Sequence, residues 1–302
     1  MVKDSLNWPL YSFYCVSIFT IPLYFLVLIC LIKLRCYSKA YHTTFYTILL
    51  QHCIADIVIM VNFIATYCLR TTPFISYYYF KYQEFYLPAW TYNSVYYTLY
   101  IRCTGIIFLS IHRYLVISAP HHRLTALVQE AATWKIVFVY WAVPSVISII
   151  NLKDADIHYD SVASMELVVD KAIITRNTMM ALVFVAVTCF ICVGLYTAMW
   201  ALLRKHSAGM TKNFQRELLL AFQVFALLCA FFVMFLYYLF QNYFAQSQNG
   251  PVYTMRSLYF IANGLLSYIN PFCILILNRD FFQQFVKTFK CSSTRVVSLM
   301  NT

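Results

Sequence analysis

The stretch LSIHRYLVISAP, Leu109–Pro120, ends a long apolar run on a histidine, an arginine and a tyrosine. An ionised group costs about 2.5 to 3.5 kcal/mol at the middle of a bilayer, so a guanidinium there needs water or a polar partner. The stretch marks a place where a helix leaves lipid. Composition agrees: of 302 residues 62% are hydrophobic and 11% charged, and the mean hydropathy is +0.68. A soluble domain keeps about a quarter of its residues charged. In lipid the backbone must satisfy its own hydrogen bonds, so apolar runs of about 20 residues are helices.

Working outward from Leu109, seven such runs appear: Pro9–Ile32, Phe45–Leu69, Pro88–Ile117, Trp134–Leu152, Asn177–Leu203, Glu217–Phe244 and Val252–Asn278. The first is too long for a signal-peptide core and lacks a small-residue cleavage pattern, so it is expected to stay as a helix. Seven crossings put the termini on opposite sides. With the N-terminus outside, the inner segments hold Lys33, Arg35, Lys39, Arg113, Arg123, Lys135, Arg204, Lys205, Lys212, Arg216, Arg279, Lys287, Lys290 and Arg295. The outer cations Lys3, Arg70, Lys81, Lys153, Lys171, Arg176 and Arg256 are matched by as many outer carboxylates. The formal charge of +11 therefore sits on the inner face, the expected mark of a cytosolic side opposite anionic lipid. That reading suffices for the basic balance, and no nucleic-acid partner is expected.

The expected fold class is an all-α membrane protein, a seven-transmembrane helix bundle. Residues 1–8 form a short extracellular N-terminus, 9–278 the bundle, and 279–302 an amphipathic helix with a cytosolic tail. In RDFFQQFVKTFK, Phe281, Phe282, Phe285 and Phe289 recur at helical spacing opposite Arg279, Gln283, Lys287 and Lys290, a pattern for a helix on the inner membrane surface. Cys291 stands where a juxtamembrane thiol can take a palmitoyl group. The longest outer loop, Lys153 to Arg176, is acidic and polar and suits a solvated lid. Most of the eleven cysteines lie in or beside the helices, where a buried reduced thiol is the default.

Two charges fall inside the runs, Asp56 in the second and Arg102 in the third. Counted from the inner ends at about 1.5 Å per residue, they lie about 16 Å and about 22 Å deep, a gap an extended arginine spans. An ion pair between neighbouring helices is the structural reading. The alternative is a secondary transporter or channel using the pair. A proton or ion pathway would string several ionisable groups across the bundle, and broken Gly/Pro helices and inverted repeats would mark a transporter. With two charges, five glycines and no evident repeat, this is the weaker reading.

His112-Arg113-Tyr114, with Pro120 seven residues after the arginine, resembles the Asp/Glu-Arg-Tyr motif and downstream proline of rhodopsin-like G-protein-coupled receptors. Ile54-Ala55-Asp56 resembles that family's second-helix signature, and Ser267-x-x-Asn270-Pro271 its seventh-helix Asn-Pro-x-x-Tyr motif. The likeness covers nearly the full chain. The departures are specific: His112 replaces the acid, Ile274 the tyrosine, the first helix lacks its asparagine and the sixth its proline. No cysteine stands at the outer end of the third helix or in the second outer loop, which leaves that family's disulfide without either partner. With Arg102-Cys103-x-Gly105 and His121-His122-Arg123 after Pro120, the set is similar to the nematode serpentine chemoreceptors of the gamma superfamily, class V.

The resemblance implies a chemosensory receptor at the plasma membrane, in a sensory cilium, that engages a heterotrimeric G protein through Arg113. It implies no cofactor and no metal, and it leaves room for a homo-oligomer. With His112 in place of the acid, either basal activity or a lock from another helix is expected. Arg102 lies eleven residues before Arg113, where rhodopsin-like receptors place a small polar residue that helps hold a sodium ion with the counterpart of Asp56. A fixed cation would replace a mobile one. The expected outer pocket for a small-molecule agonist is walled by Tyr92, Tyr96, Tyr97 and Tyr100 of the third helix, Phe235 and Tyr238 of the sixth, and Tyr259 and Asn263 of the seventh, although each such aromatic also suits ordinary packing. The outer helix halves hold no Asp or Glu to receive an amine, so a neutral or lipophilic cue is expected. The chain has no HExxH, nucleophile elbow, paired carboxylates or phosphate loop, and no enzyme is expected.

Overall fold

The computed structural model describes residues 8–205, 212–246 and 252–300. Residues 1–7 of the expected outer terminus and the thiol of Cys291 lie outside the described residues. The helices are α1 (Trp8–Tyr37), α2 (Thr44–Phe63), α3 (Pro73–Lys81), α4 (Leu87–Ser118), α5 (Arg123–Gln129), α6 (Thr133–Leu152), α7 (Lys171–Lys205), α8 (Lys212–Gln246), α9 (Val252–Leu277) and α10 (Arg279–Met300). Strands β1 (His158–Tyr159) and β2 (Leu167–Val168) pair antiparallel in the loop before α7. Seven spans are long and apolar enough to cross a bilayer: α1, α2 with its extension to Thr71, α4, α6, and most of α7, α8 and α9.

These spans coincide with the runs read from hydropathy to within a few residues, except at α7. That helix begins at Lys171, six residues before Asn177, because Asp170 caps it: its Oδ1 accepts from the Ala172 N–H at 2.9 Å and its carbonyl from Ile174 at 3.0 Å. α4 is the axis of the bundle and packs on α2, α6, α7 and α8. Its apolar window is 56% buried against 22% for α6, which places α6 on the lipid-facing periphery. Within the spans, hydroxyls of Thr66, Thr91, Thr104, Ser148 and Thr188 donate to carbonyls four residues earlier, the nearest acceptors where no water competes.

The structure adds detail to two expectations about the flanking segments. The Lys153–Arg176 loop exposes most of its polar residues but is anchored at three points: Ile157, Tyr159 and Met165 are buried, the Tyr159 N–H donates to Gln83 Oε1 at 3.1 Å, and the Tyr159 and Thr91 hydroxyls lie 3.0 Å apart. Hydrogen bonds from the Ser164 hydroxyl and from backbone N–H groups hold the Asp160 carboxyl below its ordinary range, so the hairpin turn is built on the ionised form. In α10, Phe281 is buried and Phe285 and Phe289 pack against the bundle, while Phe282 is exposed. Positions 281, 285 and 289 share one face at four-residue spacing; Phe282 lies about 100° round the helix from it. Asn278 joins α10 to α9, its Oδ1 accepting from the Phe281 N–H at 3.0 Å and its Nδ2 donating to Tyr46 Oη at 3.3 Å.

Candidate functional site

Three regions gather the chemically capable side chains, one at mid-bundle, one at the Arg113 end and one at the hairpin end. At mid-bundle, Asp56 and Arg102 are each 1% exposed, with Arg102 Nε 3.2 Å from Asp56 Oδ1. Arg102 Nη1 donates to Asn263 Oδ1 at 2.6 Å, and Nη2 donates to the Ser267 hydroxyl. The other carboxylate oxygen, Asp56 Oδ2, accepts from Tyr24 Oη at 2.7 Å and from Asn270 Nδ2 at 3.4 Å. His52, one helical turn before Asp56, places Nε2 3.8 Å from Oδ2 and Nδ1 3.1 Å from Tyr140 Oη. Five helices thus contribute to one charge-compensated cluster: α1, α2, α4, α6 and α9. Such a pair persists in a dry interior only when its remaining donors and lone pairs are filled, and here most of them are.

The sequence reading paired Asp56 with Arg102 and named Ser267 and Asn270 separately as a seventh-helix motif; the structure brings all four together. It missed Tyr24, His52 and Tyr140, and it assigned Asn263 to the ligand wall, whereas Asn263 is an Arg102 acceptor. His52 alone carried a signal, its four-residue spacing from Asp56. Pro271 lies inside α9, and having no N–H it leaves the Ser267 carbonyl without the usual helical donor. Gly105 is a close-approach position. A Cβ there would fall inside van der Waals contact of His52 Nδ1 and 2.6 Å from Tyr140 Oη. Gly105→Ala is expected to force the His52–Tyr140 bond apart and cost about 1 to 3 kcal/mol of stability, read as a lowered unfolding temperature of the purified protein in nanodiscs; an unchanged temperature would refute the close packing.

At the α4 C-terminus, His112 and Arg113 are buried and Tyr114 is half-buried, with Pro120 exposed in the turn beyond. The Arg113 guanidinium carbon sits 3.3 Å from the centroid of the Phe45 ring of α2, and the His112 ring lies 5.8 Å from the same ring. Both residues line a cleft of about 450 Å³ with His42, Thr43, Gln129 and Leu220. α5 braces its rim: the Thr125 hydroxyl donates to the Ala119 carbonyl at 2.6 Å, and the Thr44 hydroxyl to the Val128 carbonyl at 2.9 Å. His122 caps α5 by accepting from the Leu124 N–H at 3.2 Å.

Toward the hairpin end, the named aromatics divide. Tyr96, Tyr100, Tyr238 and Tyr259 are buried, and the Tyr237 ring lies 5.2 Å from that of Tyr238 and 5.6 Å from that of Tyr259. Tyr92 and Tyr96 hydroxyls are 3.1 Å apart, and Tyr100 packs on Phe184 of α7 with ring centroids at 4.8 Å. Tyr97 instead turns to α6, its hydroxyl 3.1 Å from that of Ser145, and Phe235 packs beside Phe232. Asn263 and Tyr259 border a cavity of about 10 Å³, room for about one water. The buried hydroxyl of Tyr238 has no hydrogen-bond partner among the described residues, whereas that of Tyr100 faces the Asn151 amide. Buried polar atoms are seldom left unpaired, and the Tyr238 hydroxyl can take a water or a ligand atom.

The ten cysteines among the described residues are free thiols, and no group of three or more His, Cys, Asp or Glu side chains among those residues is arranged to hold a metal. Comparison with individually curated proteins returns no match. The description "Serpentine type 7TM GPCR chemoreceptor Srv" belongs to a family model that matches residues 13–291. With seven apolar spans and a match over nearly the whole length, the chain belongs to the Srv family of serpentine seven-transmembrane chemoreceptors.

Proposed function

We propose that this chemoreceptor takes a small lipophilic cue among the tyrosines toward the hairpin end and passes the signal to the Gα subunit of a heterotrimeric G protein at Arg113. In this reading it lies in the plasma membrane with residues 1–8 and the hairpin outside, residues 9–278 forming the bundle, and residues 279–302 in the cytosol. The observation that carries the reading is the Arg113 cleft. It offers about 450 Å³ at the charge-rich end of the bundle, with a guanidinium shelved on Phe45 from which it can be drawn. A guanidinium released there can hydrogen-bond the carbonyls of a partner helix C-terminus. The Phe45 ring of α2 is one of the contacts that hold Arg113 from another helix. Between the two ends, Arg102 acts as a fixed cation in place of sodium, so that activation repacks α9 around Asn263, Ser267 and Asn270.

The test is reconstitution in nanodiscs with Gα and a screen of volatile and lipid compounds. Cue-dependent nucleotide exchange on Gα, insensitive to replacing sodium by choline, is the expected result. Substrate flux in proteoliposomes with no exchange on any Gα would overturn the reading in favour of transport through the Asp56–Arg102 pair.

A further inference from the structure

Arg70, counted from sequence among the outer topology charges, is only 8% exposed. It follows the π-helical turn Ile64–Cys68 that ends α2, and it lies beneath the hairpin. Its guanidinium carbon is 5.0 Å from the ring centroid of Tyr67 and 5.6 Å from that of Tyr159. Tyr79 closes the same corner, its hydroxyl donating to the Ala65 carbonyl at 2.8 Å, and Tyr159 is held down by Gln83 and Thr91. Arg70 Nε and Nη1 are covered and have no hydrogen-bond partner among the described residues. No ion pair to Arg70 occurs among the described residues, where Asp154 pairs with Arg176, Asp160 is bound by Ser164, Asp170 caps α7, and Glu84, Asp156 and Glu166 are exposed.

Aromatic rings attract a guanidinium through its face, whereas its N–H donors lie in its plane; the Tyr159 hydroxyl accepts from Arg70, which leaves Nε and Nη1 unfilled. A buried cation with empty donors calls for an anion. We infer that Arg70 is the seat of a carboxylate carried by the cue, gripped beneath the β1–β2 hairpin. Tyr67, one of the rings against Arg70, also walls the small cavity bordered by Tyr259 and Asn263. The inference rests on the receptor reading above and narrows it: the cue is a lipophilic acid, not a neutral compound, and the absence of outer-half carboxylates that disfavours amines favours it.

The experiment measures thermal stabilisation of the full chain in phosphatidylcholine nanodiscs by octanoate, decanoate, benzoate and phenylacetate, each against its methyl ester. At least one acid is expected to raise the unfolding temperature with saturable dependence, its ester to bind at least tenfold more weakly, and Arg70→Gln to abolish the difference. Arg70→Lys keeps the charge but loses the planar fork, and is expected to weaken the acid about tenfold while preserving the fold if Arg70→Gln does not. Equal effects of acid and ester, no effect of any acid, or an acid effect unchanged in Arg70→Lys overturns the inference. Arg70-dependent stabilisation by phosphatidylglycerol in place of the free acids also overturns it, and assigns the site to a lipid phosphate. Because binding is read without Gα, acid-dependent stabilisation with no nucleotide exchange would leave this site standing and remove the receptor reading alone.

Discussion

Asp56→Asn is expected to destabilise the receptor by about 3 to 5 kcal/mol, the cost of leaving a buried cation without its counter-ion. Arg102 would keep Asn263 and Ser267 as neutral acceptors, and both are weaker partners than a carboxylate. Tyr24 and Asn270 would lose the acceptor they share. Asp56→Asn combined with Arg102→Met removes both charges and replaces the guanidinium by an apolar chain, so it is expected to recover most of the loss. Unfolding temperatures in nanodiscs, together with the fraction of tagged protein reaching the cell surface, provide the measurement. A double variant no more stable than Asp56→Asn alone would show that the two charges do not depend on each other.

The second large effect concerns Arg113. Replacing it by Gln is expected to lower cue-stimulated nucleotide exchange about 10- to 100-fold, because hydrogen bonds to a charged group contribute about 1.5 to 3 kcal/mol and each 1.4 kcal/mol is about tenfold. Phe45→Leu is expected to act in the opposite direction. Removing a desolvated cation–π contact of about 2 kcal/mol loosens the guanidinium and raises exchange without cue by up to about 30-fold. Basal and stimulated exchange on the same Gα, measured for both variants, checks the pair of effects. A Phe45→Leu receptor as silent as the parent would show that the ring is packing and not a lock.

Much of the architecture was legible because the relevant physics is local. Twenty apolar residues make a span wherever they occur, so the seven crossings and the helical spacing of the α10 phenylalanines could be read from spacing alone. The hairpin loop was legible only in part, for the complementary reason. Its polarity marked the exposed residues, but the burial of Tyr159 depends on Gln83 and on Thr91 of α4, whose proximity no local pattern reports. Tyr97 shows the same limit: its spacing puts it beside Tyr96 and Tyr100, yet helix rotation turns it to Ser145 on α6.

Hydropathy and charge counts by themselves determined that the chain is a seven-span membrane bundle, which of its ends is basic, and that Asp56 and Arg102 require each other, since a charge in lipid must find a partner. Which neighbours complete that pair was settled only by packing. Tyr24, His52, Asn263 and Ser267 come from three helices whose order and rotation around α4 are properties of the assembled bundle. The same holds for the ring beneath Arg113 and for the burial of Arg70, because the depth of a side chain is known only once the elements that cover it are in place.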